Sequence, residues 1–311
     1  MSDLTWLEAI VIGGLQGVAE LFPVSSLGHS VLLPAVVGGS WARDLDVGAP
    51  ESPYLAFIVG LHVATAIALV IYFWRDWVRI VRGLVTSIVR REVADPDQRL
   101  AWLLVLATIP VGIAGLALEH TFRTVLSKPI PTAAFLVLNG VLLLVGDHLR
   151  RRATGTQAPT TASPPVPATA TTVDRETDKA IDRRLAALPV GRAVLIGAAQ
   201  IAALAPGVSR SGAAMVAGLA RGLDHAEAAR FSFLLATPVI LAAGVLKIGD
   251  LTGPLGDGIR PQILVGSLLS GIGAYLSVRF LTRYFQTRSL RPFGIYCIVA
   301  GTACLAWFTL S

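Results

Sequence analysis

The first of two polar runs in this chain combines a carboxylate, two hydroxyls and an imidazole. Gln16 and Glu20 are four residues apart, so they share one face of a helix. Ser26 and His29 are three apart and meet if that stretch is helical, which is the minimum for an activated nucleophile. Glu20 would orient the imidazole, act as a base, or hold a divalent cation together with Gln16. The run reads Gln16-Gly-Val-Ala-Glu20-Leu-Phe-Pro23-Val-Ser25-Ser26-Leu-Gly28-His29.

The second polar run combines hydroxyls with a guanidinium, a set that suits an anion. Glycine and turn geometry let successive backbone N–H groups point at one anion, and Arg210 offers bidentate recognition of phosphate oxygens. A helix beginning near Gly212 would direct its positive N-terminal dipole at the same point. We therefore predict a phosphate cradle. The run reads Gln200-Ile-Ala-Ala-Leu204-Ala-Pro206-Gly207-Val-Ser209-Arg210-Ser211-Gly212.

The two runs are diverged copies of each other at an offset of 184 residues. The positions that differ carry the ionisable or reactive groups: Glu20 corresponds to Leu204, Ser26 to Arg210, and His29 to Ala213. This pattern predicts that one copy does chemistry while the other binds phosphate. Seven pairs are identical: Ile12/Ile196, Gly13/Gly197, Gln16/Gln200, Ala19/Ala203, Val24/Val208, Ser25/Ser209 and Gly28/Gly212.

The composition is that of an integral membrane protein. The chain is 54% hydrophobic and 15% charged, whereas soluble domains carry about 25% charged residues. The net charge of +6 does not indicate nucleic acid, because the basic residues cluster between apolar segments. Cys297 and Cys304 lie about 10 Å apart on one predicted helix, too far for a disulfide. The apolar segments are 5–38, 54–74, 101–119, 131–147, 191–222, 231–249, 261–281 and 292–310.

Segments 5–38 and 191–222 are too long for one crossing and contain Pro, Gly, Ser and ionisable residues at their centres. Non-helical backbone at membrane depth is tolerated only where protein buries it or it lines a cavity. We therefore predict two re-entrant helical hairpins, each followed by three transmembrane helices. This gives a first membrane repeat over 1–149 and a second over 191–311. The Pro-, Thr- and Ala-rich stretch 150–190 is predicted to be a flexible, cytoplasmic linker.

The charges between segments predict the orientation of the repeats. Seventeen Lys and Arg residues lie in 75–100, 148–192 and 282–291, but only four lie in 39–53, 120–130 and 250–260. The positive-inside rule places the basic segments in the cytoplasm. With three crossings per half, the repeats are inverted and the hairpins enter from opposite faces. Such folds place a shared site near the midplane. The fold class is thus an all-α polytopic membrane protein with inverted repeats.

The ionisable residues of the hairpins are interpreted as functional, because charge within a membrane is costly. Glu20, Ser26, His29 and Arg210 are the candidate catalytic residues. His62 and His225 are interpreted instead as ordinary satisfied polar residues. The candidate phosphate ligands are Ser25, Gly207, Ser209, Arg210, Ser211 and Gly212, and the candidate metal ligands are Gln16 and Glu20.

Over nearly its whole length the chain resembles the undecaprenyl-diphosphate phosphatases, the bacitracin-resistance family of bacterial membrane enzymes. The resemblance rests on the first run from Gln16 to His29, on Pro206 to Gly212, and on the match Ala228-Ala229-Arg230-Phe231-Ser232-Phe233-Leu234-Leu235. Leu27 and Ala214 replace threonines that are common in the family. The linker is also longer than is usual there.

The resemblance implies hydrolysis of undecaprenyl diphosphate to undecaprenyl phosphate and inorganic phosphate, which regenerates the carrier lipid for cell-wall synthesis. We expect Ser26 as nucleophile, with water as the alternative, and His29 as general base or acid. Mg²⁺ or Ca²⁺ is the expected cofactor. A second function class, a transporter or flippase for lipid phosphate or anions, would use the same inverted-repeat site. We expect a multi-pass protein of the bacterial plasma membrane with an outward-facing site, and a homodimer is retained as one arrangement.

Overall fold

The computed structural model describes residues 4–47, 53–155, 170–253 and 256–310. The described part of the first half is helical and has no strand. Its helices are α1 (Trp6–Ala19), α2 (Ser26–Val37), α3 (Gly39–Asp44), α4 (Pro53–Tyr72), α5 (Trp74–Arg90), α6 (Pro96–Leu126) and α7 (Pro129–Gly155).

The described part of the second half is also entirely helical. Its helices are α8 (Ala170–Ala186), α9 (Val190–Ala199), α10 (Arg210–Leu219), α11 (His225–Leu246), α12 (Ile248–Thr252), α13 (Arg260–Thr287) and α14 (Arg291–Leu310), with a 3₁₀ turn at Gln200–Leu204. Six helices of the described residues are long and apolar enough to cross a membrane: α4, α6, α7, α11, α13 and α14. They correspond to the six predicted crossings, so the polytopic all-α class is confirmed.

The first hairpin consists of α1, an irregular turn and α2. A capping box between Thr5 and Glu8 begins α1, and the helix ends before Pro23. The chain then reverses, because Leu4 before α1 and Leu45 after α2 are buried in the same apolar cluster. The two open ends of the hairpin therefore lie on one side, as a re-entrant segment requires.

The second hairpin consists of α9, the 3₁₀ turn and α10. Gly207, with a φ of +104°, turns the chain, and Ser209 caps the start of α10. The hairpin returns to its starting side: Arg184, just before it, forms an ion pair of 3.0 Å with Glu227, just after it.

Side-by-side contacts show that α1, α4 and α13 run in the same direction. Gly13 and Gly17 of α1 lie against Gly266 and Ser270 of α13, with residue numbers rising together. For α4 and α13, Thr65 bonds Ser270 at 3.1 Å and Tyr72 bonds Thr282 at 2.8 Å. The first hairpin therefore enters the bundle at the end where α13 begins.

The second hairpin enters at the opposite end of the bundle. Helix α6 begins where α4 ends, because Arg79 of α5 donates to Asp97 of α6 at 2.7 Å. Helix α9 runs in the same direction as α6: Arg99 contacts the carbonyl of Leu188, and Gly197 lies against Ala107 farther along. The contacts therefore agree with the inversion that the charges predict.

The basic segment 75–100, which the charge pattern predicts to be a loop, contains the amphipathic helix α5. The helix buries Ile80 and Gly83 beside α6 and turns an apolar stripe outward. A basic helix with such a stripe is typical of a helix that lies in the membrane interface. The exposed stripe is Trp74, Val78, Val81, Val85 and Ile88.

The stretch 150–190, predicted as a flexible linker, is largely helical where the structure describes it. Helix α7 continues to Gly155, and α8 packs against α6 and α11. Asp182 of α8 accepts two hydrogen bonds from buried Arg230, at 2.6 and 3.0 Å. An ion pair with a residue 48 positions away is not visible in composition, and it holds this helix in place. Residues 156–169 lie outside the described residues.

Close helix contact makes Gly13 sensitive to a single methyl group. A Cβ at Gly13 would lie 2.5 Å from the carbonyl oxygen of Gly266, whereas a Cβ at neighbouring Gly14 would have nothing within 4 Å. Gly13→Ala should lower the free energy of unfolding by about 1–3 kcal/mol, since added carbons in a tight core force backbone shifts. Gly14→Ala is the matched control and should leave stability unchanged or slightly raised. Thermal unfolding in detergent measures both, and equal midpoints would contradict the proposed packing.

Candidate active site

The carboxylate of Glu20, at the end of α1, joins the two hairpins. Its Oε2 accepts hydrogen bonds from the amide nitrogen of Gln16 at 2.9 Å and the hydroxyl of Ser26 at 2.5 Å. Its Oε1 accepts from Nη2 of Arg210 at 2.5 Å. Three donors point at one buried group, so the carboxylate is ionised. The predicted helical pairing of Gln16 with Glu20 is present.

Ser26 is placed by the turn between the hairpin helices. It is the first residue of α2, and the preceding Ser25 has a φ of +67°, in the left-handed region. Such backbone is uncommon for a residue other than glycine and is often found at functional sites. The Ser25 hydroxyl accepts from the N–H groups of Gly28 at 3.1 Å and Gly207 at 3.2 Å. Ser25 thus fixes the turn and ties it to the second hairpin.

Arg210 occupies the corresponding position of the second hairpin, as the first residue of α10. Its Nη1 donates to the carbonyl of Ala236 at 3.1 Å, which directs the other side of the guanidinium to Glu20. Ser209 and Arg210 lie side by side on the wall of one cavity. Both residues belong to the predicted phosphate cradle.

The other predicted phosphate ligands build the turn. The hydroxyl of Ser211 lies 3.0 Å from that of Ser209, and the N–H of Gly212 donates to Ser209 at 3.1 Å. The N–H of Gly207 is bonded to Ser25. The six predicted ligands therefore divide into residues that face the cavity and residues that shape it. The first group is Ser25, Ser209 and Arg210, and the second is Gly207, Ser211 and Gly212.

His29 does not meet Ser26 in the structure, contrary to the expectation from their spacing. Its Nδ1 is 2.8 Å from the carbonyl of Ser25, and its Nε2 is 2.7 Å from the hydroxyl of Tyr296 on α14. The two rings also stack. Tyr296 takes the imidazole away from the cavity, and Glu20 takes the place beside Ser26 that was assigned to His29.

His62 of α4 supplies an imidazole to the site, whereas its sequence context predicts an ordinary satisfied polar residue. Its Nε2 lies 3.3 Å from the amide nitrogen of Gln16 and 3.5 Å from Oε2 of Glu20. Its side chain is 29% exposed and borders the cavity. The sequence feature that indicates a functional role is the position of this histidine within an otherwise uncharged crossing. His225, by contrast, pairs with Asp147 at 2.9 Å and is satisfied as expected.

Asn139 of α7 is a second residue that sequence reasoning missed. It is the only asparagine of the chain, and it is buried within an apolar crossing. Its Nδ2 donates to the carbonyl of Pro23, and its Oδ1 accepts from the N–H of Ser209, both at 3.0 Å. One amide thus satisfies the backbone of both hairpin turns and fixes their separation.

The cavity at this site has a volume of about 370 Å³ and a polar end that contains Glu20, Ser26, His62 and Arg210. Its remaining wall is mostly apolar and comes from the second halves of α6 and α11. Such a cavity suits a ligand with a charged head and a hydrocarbon tail. The apolar wall contains Val111, Gly112, Gly115, Leu116, Val239, Ala242, Ala243 and Leu246.

The predicted metal ligands do not form an all-protein metal site in the described part of the chain. No group of three His, Cys, Asp or Glu side chains is arranged to hold an ion there. Gln16 presents its nitrogen to the carboxylate, and Glu20 already has Arg210 beside it. The two predicted ligands therefore offer one carboxylate to an ion, which would need its other ligands from a bound anion or from water.

The fold and the site define an all-helical, multi-pass membrane protein with a buried carboxylate, hydroxyl and guanidinium at the meeting point of two re-entrant hairpins. The model of the bacitracin resistance protein BacA family matches residues 9–303, and the chain belongs to that family. The chain is 63% identical to an undecaprenyl-diphosphatase of Mycolicibacterium paratuberculosis over 309 residues, 99% of each chain. It is 62% identical to an undecaprenyl-diphosphatase of Mycobacterium avium, again over 99% of each chain, and 50% identical to undecaprenyl-diphosphatase 1 of Frankia casuarinae with the same coverage.

The amide of Asn139 gives a prediction about the two turns. Asn139→Ala leaves the Ser209 N–H buried without its partner and the Pro23 carbonyl with only the weak 3.9 Å contact from the Cys297 thiol, which should cost about 1–3 kcal/mol of unfolding free energy. Cys297→Ser is the control, because the Cys297 sulfur makes only weak contacts with the same groups, at 3.3 Å with the Asn139 amide nitrogen and at 3.9 Å with the Pro23 carbonyl. Chemical denaturation in detergent should show a large loss for the first variant and little for the second. Equal stabilities would show that the Asn139 amide does not hold the two turns together.

Proposed function

We propose that the protein is a membrane phosphatase that hydrolyses undecaprenyl diphosphate to undecaprenyl phosphate and inorganic phosphate. The observation that carries this proposal is that Ser26 and Arg210 both donate hydrogen bonds to Glu20 in a cavity whose other walls are mostly apolar. The names of the curated relatives support the same reaction. Its product is the carrier lipid of cell-wall synthesis, returned to its monophosphate form.

The diphosphate binds at the polar end of the cavity, and the polyprenyl chain follows the apolar wall. Arg210 suits bidentate contact with phosphate oxygens, and the N–H groups at the start of α10 add the positive end of a helix dipole. The diphosphate competes with Oε1 of Glu20 for the guanidinium. Binding therefore exchanges an internal ion pair for one with the substrate.

Two steps complete the reaction. Glu20 takes the proton of Ser26 while the Ser26 oxygen bonds to the terminal phosphorus. The bond between that phosphorus and the bridging oxygen breaks, and the oxygen leaves on undecaprenyl phosphate, which takes the proton from Glu20 and leaves the carboxylate ionised for the second step. Water then attacks the phosphoserine and gives a proton to Glu20. The bond from phosphorus to the Ser26 oxygen breaks, and Ser26 regains its proton as inorganic phosphate is released. Arg210 stabilises the charge of the transferred group in both steps.

A divalent cation, Mg²⁺ or Ca²⁺, is included in this proposal as a cofactor that binds with the substrate. Glu20 would be its protein ligand, and Gln16 would position that carboxylate through the hydrogen bond at 2.9 Å. When bound, the cation supplies charge neutralisation on the diphosphate oxygens.

The site is proposed to open to the outer face of the plasma membrane. The apolar wall runs from Val111 to Leu116 on α6 and from Val239 to Leu246 on α11, toward the far ends of both helices. Their opposite ends carry the ion pairs of Asp97 and Glu227 with the basic segments. Those basic segments are cytoplasmic by the positive-inside rule. The cavity therefore extends away from the cytoplasm.

Phosphate release by the purified protein tests this function. Undecaprenyl diphosphate in detergent should yield one inorganic phosphate per lipid, and a chelator should lower the rate if the cation takes part. Arg210→Lys should reduce the rate, because an ammonium does not reproduce bidentate contact. A lipid-phosphate transporter, the alternative on this fold, would release no phosphate, and that result would overturn the proposal. The Ser26–Glu20 contact of 2.5 Å favours hydrolysis over transport.

Loss of the Ser26 hydroxyl should affect turnover more than binding. Ser26→Ala should lower kcat by about a thousandfold or more, as removal of a nucleophile does in other covalent mechanisms. KM should change little, because Arg210 and the apolar wall remain. Steady-state phosphate release measures both constants, and mass spectrometry of quenched wild-type protein should detect phosphoserine at position 26. Near-normal turnover by the variant would identify water as the direct attacking group.

A further inference from the structure

Three exposed arginines lie along the last turns of α13 and directly after it. Arg279 and Arg283 are four residues apart, so they share one face of the helix and are separated by about 6 Å along its axis. Together with Arg288 they line one cavity of about 450 Å³. No carboxylate of the described residues lines this cavity. The cavity therefore presents positive charge to an anion.

The basic cavity lies at the level of the cytoplasmic membrane boundary. Thr282, between Arg279 and Arg283, forms a hydrogen bond of 2.8 Å with the hydroxyl of Tyr72. The crossing α4 ends at Tyr72, and the amphipathic helix α5 begins two residues later. The segments 75–100 and 282–291 are cytoplasmic by the positive-inside rule. The arginines therefore lie at the depth of the phosphate groups of the cytoplasmic leaflet.

An apolar groove continues from this cavity toward the centre of the membrane. It lies between α4 and α13, has a volume of about 440 Å³, and shares Leu276 with the basic cavity. Small residues make the groove possible: a Cβ at Gly271 would lie 3.5 Å from the carbonyl oxygen of Ala64. From Ser267 to Leu276 the groove follows α13 over about 14 Å, roughly half of a hydrocarbon core. Its exposed apolar side chains are Ile67, Ile71, Leu268, Ile272 and Leu276.

We propose that this surface binds an anionic phospholipid of the cytoplasmic leaflet. The lipid phosphate contacts Arg279, Arg283 and Arg288, and one acyl chain occupies the groove between α4 and α13. Basic pockets at the cytoplasmic ends of transmembrane helices suit anionic head groups, because a guanidinium binds phosphate oxygens in pairs. Along α13 the apolar part precedes the basic part, which is the order of chain and head group in that leaflet. The surface shares no lining residue with the cavity of Glu20 and Arg210, so this proposal is independent of the proposed function.

Phe280 connects the lipid surface to the first hairpin. Its side chain is 53% exposed and lines the basic cavity. Its ring stacks on that of Phe22, with the centroids 6.0 Å apart, and the carbonyl of Phe22 accepts a hydrogen bond of 3.4 Å from Ser211. A lipid chain against Phe280 therefore packs behind the turn between α1 and α2. Since the unfolded chain has no such surface, bound lipid should raise the temperature of unfolding.

The test is binding of phosphatidylglycerol to the purified protein in detergent, measured by native mass spectrometry. Phosphatidylcholine with the same chains is the zwitterionic comparison. Wild-type protein should bind phosphatidylglycerol about tenfold more tightly than phosphatidylcholine and unfold at a higher temperature in its presence. Arg279→Gln combined with Arg288→Gln should weaken phosphatidylglycerol by more than about tenfold, because each arginine near a membrane surface contributes about fivefold. Phosphatidylcholine binding should stay the same. Glycerol phosphate, which has no chains, should not displace the lipid.

The matched control is Arg82→Gln combined with Arg90→Gln, which removes two exposed arginines from α5 on the same side of the membrane and should keep the wild-type affinity. An equal loss in this control would reduce the effect to general attraction between basic protein and anionic lipid, and the proposal would fail. Unchanged affinity in the Arg279 and Arg288 variant would also overturn it, since the lipid would then bind elsewhere, for example in the cavity of Glu20.

Two further results would assign the surface to another occupant and overturn the proposal. Displacement by glycerol phosphate would indicate a soluble phosphate ligand. A dimer mass in wild-type protein that the double variant loses would indicate a second copy of the chain. If the double variant unfolds early without lipid, Arg279→Gln alone gives the same readouts with a loss of about fivefold.

Discussion

The ion pair between Glu20 and Arg210 is the interaction on which the rest of the structure depends. The two residues are 190 positions apart and are 6% and 16% exposed. A buried charge without a partner costs several kcal/mol, so neither residue is tolerable at this depth alone. The pair therefore couples the two hairpins: each brings a charge into the membrane that only the other can compensate. The same ion pair can open when substrate binds, because a diphosphate is a stronger partner for arginine than a single carboxylate.

The backbone of the two turns imposes a second constraint. Where a helix is broken inside a bilayer, its N–H and C=O groups need partners from protein. Ser25, Ser209 and Asn139 provide them, and this explains why much of both polar runs is structural. The polar side chains of the cavity wall that do not hold these turns include Glu20, Ser26, His62 and Arg210. The polar runs are thus dense in serine and glycine chiefly because the turns must be stable without water.

Much of the architecture could be predicted from sequence because it follows from hydropathy and charge. The six crossings, the two hairpins and their opposite directions depend on local composition and on the positive-inside rule. The contacts within the site depend instead on distant residues. Spacing suggested that Ser26 meets His29, yet Tyr296, 267 positions later, bonds the imidazole. His62 and Asn139 each looked like single polar residues in a crossing, and only packing shows that both point at the hairpin turns.

The internal repeat explains why the site is asymmetric although its scaffold is symmetric. Ser25 and Ser209 occupy equivalent positions, and each caps its helix by accepting from an equivalent glycine N–H at 3.1 Å. The next residue begins the helix and points into the shared site in both copies, as Ser26 in one and Arg210 in the other. Two arginines there would repel each other, and two serines would leave Glu20 without a counter-charge. A duplicated hairpin therefore gains a site for an anionic substrate only when its copies diverge at this position and at Glu20, while the capping residues that hold both turns stay the same.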